Sequence, residues 1–244
     1  MPIVEFTFFS LLFIIAFLYA SVGHGGASGY LAIMSLFSFA PETMRSSALI
    51  LNMGVSLLAF IQYYHAGHFQ WKLFWPFAIT SVPAAFIGGL WTIDTGIYKK
   101  ILAVLLLFSA LRFIFFQKQT EHVTVKQHVL LSLFIGAIIG LFSGMIGIGG
   151  GIILSPLILV LHWANMKQTA AVSALFIFIN SIAGLAGLST KGFHYSNEIF
   201  LLITIALIGG LCGAYFGAKK IKSYPLQVIL ALVLIIASFK LFLT

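Results

Sequence analysis

Two glycine-dense stretches hold the residues whose types and spacing can do chemistry. The first is "SVGHGGAS", which contains Gly23, His24, Gly25, Gly26 and Ser28. The second is "SGMIGIGGGIILSP", which contains Ser143, Gly147, Gly149, Gly150, Gly151 and Pro156. A glycine costs a helix about 1 kcal/mol relative to alanine, so three in a row at 149–151 should break one. Pro156 lacks an N–H to donate but fits the first turn of a helix beginning near Ser155. A break that opens a helix leaves backbone N–H groups unpaired beside the positive end of the helix dipole. That arrangement binds anions, and without side chains on the glycines a small ligand can touch the backbone. The chemistry expected is non-covalent anion binding, with a plain tight turn as the bland alternative.

The same stretches exclude other chemistries. No strand precedes either one, as a dinucleotide-binding unit would require, and no Gly-Lys-Ser/Thr follows, as in a phosphate-binding loop. His65 and His68 have no carboxylate or cysteine near them in sequence, so no metal site and no cofactor are expected. An intramembrane enzyme has no support in paired carboxylates or a serine–histidine arrangement with an orienting acid.

Polar residues near the breaks are the next candidates. His24 could hydrogen-bond an anionic oxygen or titrate during transport, or simply cap carbonyls at the break. Ser21, Ser28, Ser143 and Ser155 flank the breaks, and serines often bond back to their own helix. Asn52 and Asn180 lie inside apolar segments, where an amide either bonds to a neighbouring helix or meets a ligand. Arg45 and Lys167 begin those segments, the usual place of an interfacial anchor, with attraction of an anion as the sharper reading.

The elements that must position these residues follow from composition. Of 244 residues, 61% are hydrophobic and 7% are charged, and mean hydropathy is +1.12. A soluble domain carries about 25% charged residues, so an all-α, polytopic membrane bundle is expected, with the lipid bilayer as its solvent. The formal charge of +8 is scattered between apolar runs rather than clustered, which argues against nucleic acid and for topology signals. The acidic residues Glu5, Glu42, Asp94, Glu121 and Glu198 all fall at segment ends or loops, so no buried proton-relay carboxylate is expected. Cys212 has no partner for an internal disulfide and reads as a packing residue.

Five apolar segments occur in each half: 4–22, 27–39, 43–64, 71–91 and 97–116, then 128–146, 150–163, 167–188, 196–216 and 224–243. The halves resemble each other. Gly23, Gly25 and Gly26 align with Gly147, Gly149 and Gly150 at an offset of 124, and Gly67 aligns with Gly192 at 125. Two repeats are therefore expected, 1–118 and 124–244, each with a glycine-broken short helix. Ten segments would make the repeats inverted, and eight would make them parallel. In the ten-segment arrangement Lys72, Arg112, Lys118, Lys126, Lys167, Lys219, Lys220 and Lys222 share one side. Arg45, Lys99, Lys100, Lys191 and Lys240 share the other. The richer side would be cytoplasmic, leaving both termini outside. Inverted repeats are preferred on this ground. The repeats are not identical: His24, Ala27 and Ala32 stand where the second half has Ile148, Gly151 and Pro156.

The segments "SGMIGIGGGIILSPLILVL" and "ASVGHGGASGYLAIMSL", together with the two-half layout, resemble the TauE/SafE family of membrane permeases over nearly the whole chain. What the resemblance implies is transport of a small sulfur-containing anion, such as sulfite, sulfoacetate or a related organosulfonate, across a bacterial cytoplasmic membrane. An alternating-access carrier working in export is the reading adopted, with an anion channel on the same scaffold as the rival. Candidate substrate-binding residues are Gly23, His24, Gly25, Gly26, Ser28, Asn52, Ser143, Gly147, Gly149, Gly150, Gly151 and Asn180. A homo-oligomer is compatible with the sequence.

Overall fold

The computed structural model describes residues 2–21, 24–91, 93–115, 125–190, 192, 198–219 and 223–243. Among the described residues there are ten helices and no strand. They are α1 (Pro2–Ser21), α2 (Ala27–Leu36), α3 (Pro41–His65), α4 (Trp71–Leu90) and α5 (Thr95–Phe115), then α6 (Val129–Ile146), α7 (Gly151–Val160), α8 (Met166–Ser189), α9 (Ile199–Lys219) and α10 (Ser223–Leu243). Four of them, α3, α4, α6 and α8, are each long and apolar enough to cross a membrane. The helices α2 and α7 have ten residues each, about 15 Å of rise, and so reach only half of a ~30 Å hydrocarbon core.

Local chemistry sets the helix ends. Pro41 occupies the first turn of α3, where a missing N–H costs nothing. Asp94 Oδ1 accepts from the N–H groups of Gly96 (2.8 Å) and Ile97 (3.2 Å) at the start of α5. Asn165 and Gln168 form a reciprocal capping box on α8. Between α6 and α7 the chain turns through Gly147, Gly149 and Gly150 at φ +87°, +75° and +79°, a left-handed path that favours glycine.

Small residues fix how the long helices meet. Gly136, Gly140 and Gly144 of α6 press directly on the α4 backbone at Phe77, Ser81 and Ala85. Thr80 Oγ1 adds a bond to Leu133 O at 2.7 Å across the same seam. Gly209 and Gly213 of α9 do the same against the backbone of Phe13 and Phe17 in α1. With no hydrophobic drive between helices in lipid, such close approach supplies the dispersion contacts that hold them together. These pairings run in order along both chains, so α4 lies parallel to α6 and α1 parallel to α9. By contrast α3 and α8 are antiparallel, since Asn52 meets Ser181 while Leu49 meets Gly184.

The pairing pattern survives exchange of the first five helices for the last five. The contact α1–α9 becomes α6–α4, α4–α8 becomes α9–α3, and α2–α10 becomes α7–α5, all of which occur. Helices α1 and α6 thus pack mainly on the opposite half. Each also forms a hairpin with the short helix that follows it. Phe8 of α1 packs on Phe37 and Phe39 just beyond α2, at ring distances of 5.1 and 5.2 Å, so α2 returns towards the end where α1 began.

Two cations close helix C-termini. Lys240 Nζ of α10 donates to Ser35 O (2.7 Å), Leu36 O (2.8 Å) and Ser38 Oγ (3.0 Å) at the end of α2. Arg45, expected at an interface, is only 5% exposed. Its Nη2 donates to Gly144 O (3.0 Å), Gly88 O (3.4 Å) and Gly89 O (3.5 Å), and its Nη1 to Trp91 O (3.2 Å). The position is buried because α3 begins against the ends of α4 and α6, and their unpaired carbonyls supply the acceptors that a buried guanidinium needs.

Replacing Gly140 by alanine should lower the melting temperature of the detergent-solubilised protein by several degrees, as overpacking by about 1–3 kcal/mol does. The new methyl meets Ser81 backbone, which cannot give way. Gly54→Ala should be mild by comparison, because its methyl meets the movable side chain of Leu207 at 2.8 Å. Melting curves of the two variants beside the parent protein check the contrast.

Candidate functional site

The two breaks meet on one side chain. Asn52, in α3 and fully buried, is wedged between Gly25 of the first break and Gly149 of the second, and a Cβ on either glycine would collide with its amide. Asn52 Nδ2 donates to Ile148 O at 3.3 Å and to Ser181 Oγ of α8 at 3.4 Å. Ile177 of α8 packs on Gly25, Gly149 and Gly151 from the other side. The position needs residues without side chains because α3 and α8 cross there and both break segments pass between them.

A second link joins the breaks. His24 Nε2 lies 3.2 Å from Ser155 Oγ, one turn into α7. Ser155 Oγ is in turn 2.8 Å from Gly151 O and 2.9 Å from Ser173 Oγ of α8. One hydroxyl hydrogen cannot serve all three neighbours, so the direction of the chain follows the histidine tautomer. His24 N–H is bonded to Tyr19 O (2.9 Å), and Tyr19 Oη shares a 2.6 Å bond with Ser28 Oγ. The first break is therefore tied down on both flanks.

The backbone amides at the breaks are less well served. Among the described residues, the N–H groups of Gly25 to Gly29 and of Ile148 to Ile152 have no acceptor in the protein. All of these residues are buried. The first bonds of the helices are Tyr30 N–H to Gly26 O (3.0 Å) and, at Gly150 O, Ile153 N–H (3.1 Å) and Leu154 N–H (3.0 Å), so the orphan donors belong to the N-termini of α2 and α7. A small cavity lies among them, lined by Tyr19, His24, Gly25, Gly26, Ser28, Asn52, Ile148, Ile152, Ile177 and Ala27. It has room for about one water-sized molecule. No carboxylate approaches: Glu5, Glu42, Asp94 and Glu198 are all exposed, and Glu121 lies outside the described residues.

The other expected residues are placed around this centre rather than in it. Gly23 lies outside the described residues. Gly150 packs against Ile139 and Phe176, where a Cβ would come within 2.7 and 2.9 Å of them. Gly151 faces Ile177, and Gly147 rests on the Arg45 backbone, 3.0 Å from an ideal Cβ. Ser143 is buried at the end of α6, its carbonyl accepting from Gly147 N–H at 2.9 Å. Asn180 does not line the cavity. It bonds to its own helix, Nδ2 to Phe176 O at 2.8 Å, one turn beyond the level at which α8 meets the breaks.

Sequence reasoning did not single out Tyr19, Ser173 or Ile177. For Ile177 a signal existed: adding the repeat offsets of 124 and 125 to Asn52 gives 176 and 177, not 180. Tyr19 and Ser173 carry no local mark that separates them from other residues of apolar helices.

The chain matches the family model described as Sulfite exporter TauE/SafE over residues 8–241. It is 35% identical over 233 residues to the "Probable membrane transporter protein y4hK" of Sinorhizobium fredii, covering 94% of each chain. A "Probable membrane transporter protein" of Haemophilus influenzae is 24% identical over 233 residues, covering 94% of this chain and 89% of its own. YdhB of Bacillus subtilis, described in the same words, is 23% identical over 88% of this chain and 89% of its own. No solved structure matches the chain. A helical membrane bundle with paired glycine breaks, matched along almost its entire length, is thus a multi-pass transporter and not an enzyme, and the chain belongs to the TauE/SafE sulfite exporter family.

Proposed function

We propose that the protein is a secondary carrier that exports a small sulfur-containing anion, such as sulfite or an organosulfonate, across a bacterial inner membrane by alternating access. The observation that carries this reading is the convergence of two helix N-termini, with unpaired N–H groups, on one buried cavity free of carboxylates. Backbone donors and dipole ends of one sign favour an anion, and broken backbone at membrane depth persists where protein buries it or a ligand path runs. Gly25, Gly26 and Gly149, with His24, Ser28 and Asn52, form the binding region, and Gly147, Gly150, Gly151 and Ser143 shape the second break around it. At an inside-negative potential, expelling an anion gains about 2.3 kcal/mol per charge per 100 mV, so export needs no coupling ion.

Two inverted repeats, 1–118 and 124–244, organise the carrier. The exchange-symmetric helix pairing supports this, as do the parallel α1–α9 and α4–α6 contacts. In this arrangement the hairpins α1–α2 and α6–α7 enter from opposite membrane faces and their tips overlap at Asn52. The helix ends flanked by Lys72, Lys126 and Lys167 then share a face, opposite the ends flanked by Arg45, Lys99 and Lys240, which matches the charge split expected for a cytoplasmic richer side. A cavity with room for about one water suits a carrier better than a conducting pore.

Three measurements test this. Labelled sulfite should leave proteoliposomes saturably and be accelerated by sulfite on the far side, whereas unitary conductance steps in bilayers would favour the channel. Gly25→Ala, at a position without a positive φ, should cut that flux at least about tenfold, because its methyl collides with the Asn52 amide and displaces it from the site; flux close to the parent's in folded protein would count against the site. In a Cys212→Ser background, a cysteine at Asp94 should react with an impermeant maleimide in whole cells, and one at Gly67 only after lysis; the reverse pattern overturns the orientation.

A further inference from the structure

The cavity contains one group that an anion site does not explain. Asn52 Oδ1 is fully buried and has no hydrogen-bond partner. Its orientation follows from its surroundings. Ile148 O can only accept, so the amide edge facing it must be the nitrogen. The oxygen therefore lies on the opposite edge, against Gly25 and the cavity. An unpaired buried carbonyl costs free energy until a donor reaches it. Around it, the N–H groups of Gly25–Gly29 and Ile148–Ile152 have no acceptor among the described residues.

The site thus offers many donors and, at Asn52 Oδ1, a buried side-chain acceptor without a partner on the same small space. A bare anionic oxygen suits the donors and is repelled by Oδ1. An anion that keeps one O–H or N–H satisfies both. Resting on the anion-carrier reading above, we infer that the site selects a monoanion bearing its own hydrogen-bond donor, and that Asn52 Oδ1 is the group that reads it. Hydrogensulfite belongs to this class, and so do amino- or hydroxy-substituted small sulfonates; the fully deprotonated sulfite dianion does not. A cargo of this kind brings its proton with it, and the carrier needs no acidic side chain at the site to supply one. The selection is of the kind that a built hydrogen-bonding partner imposes, since an analogue without the donor leaves the acceptor unpaired.

Sulfamate and methanesulfonate separate the cases. Both are monoanions with the same number of heavy atoms, and they differ in presenting N–H or C–H at one corner. Each is titrated as an inhibitor of labelled sulfite counterflow in proteoliposomes carrying the intact protein. Sulfamate should half-inhibit at a concentration about tenfold or more below methanesulfonate, and Asn52→Leu should bring the ratio close to one. Equal potency in the parent protein, or a preference for methanesulfonate, overturns the inference while leaving an anion site standing. Failure of sulfite and both probes to give any saturable effect overturns the anion site and the inference together. Because Asn52 also braces Ile148 and Ser181, the variant is read only where its melting curve matches the parent; the parent ratio decides by itself if it does not.

Discussion

A backbone amide without an acceptor cannot face hydrocarbon, and this constraint shapes the centre of the molecule. Two helices begin there, α2 and α7, and each leaves a run of N–H groups unpaired among the described residues. Placed singly, either tip would be costly. Placed tip against tip between α3 and α8, each is covered by the other half of the protein. Asn52 sits at the meeting point and bonds to the second break, while His24 reaches from the first break into α7. The long glycine-lined seams of α4 with α6 and α1 with α9 are what bring the tips to that depth, since each seam carries one hairpin on the opposite half.

The two kinds of helix end are treated differently. Carbonyl ends are closed by cations: Arg45 serves α4 and α6, and Lys240 serves α2. The amide ends of α2 and α7 receive no such closure from the protein. On the proposed reading, a bundle that neutralises its negative ends and leaves its positive ends gathered on one cavity prefers negative cargo. Neither lysine nor arginine has to enter the cavity for this to hold. Backbone dipoles carry no side-chain entropy and do not titrate, so the preference is insensitive to the rotamers around it.

Much of this was legible in the sequence. The apolar segments fell within a few residues of the ten helices, except that α2 and α7 stop at Leu36 and Val160, earlier than expected. The glycine runs marked both breaks, because a cluster of poor helix formers between apolar stretches has few other uses. What escaped was tertiary. Arg45 looked like an interfacial residue because a basic residue one turn into a span usually is; its burial depends on where α4 and α6 end, which no local pattern reveals. Asn180 looked like the partner of Asn52 because both are amides in the third long segment of their halves. Chemical likeness was the wrong guide there. Position in the repeat would have pointed to Ile177, which packs on the same glycines from the facing helix.

That asymmetry between Asn52 and Ile177 has a consequence for the proposed transport cycle. Two equivalent tips would give a site with two equivalent faces, and here they differ: one wedge is an amide and the other a branched hydrocarbon. Polar recognition is then confined to the α3 side, and the α8 side supplies shape. The tips must part for a cargo larger than one water to enter, and the bonds that cross between them are few. Among the described residues, His24 to Ser155 joins the two tips and Asn52 to Ile148 ties the second tip to α3, each bond of a kind worth about 0.5–1.5 kcal/mol net. Separation on that scale is compatible with a minor open population at ordinary temperature. An anion bridging the N–H groups of both tips would stabilise the closed arrangement, since only there can one small ligand reach both. In the proposed cycle, cargo binding and closure would be coupled through the same donors, which is the requirement a carrier has and a pore lacks.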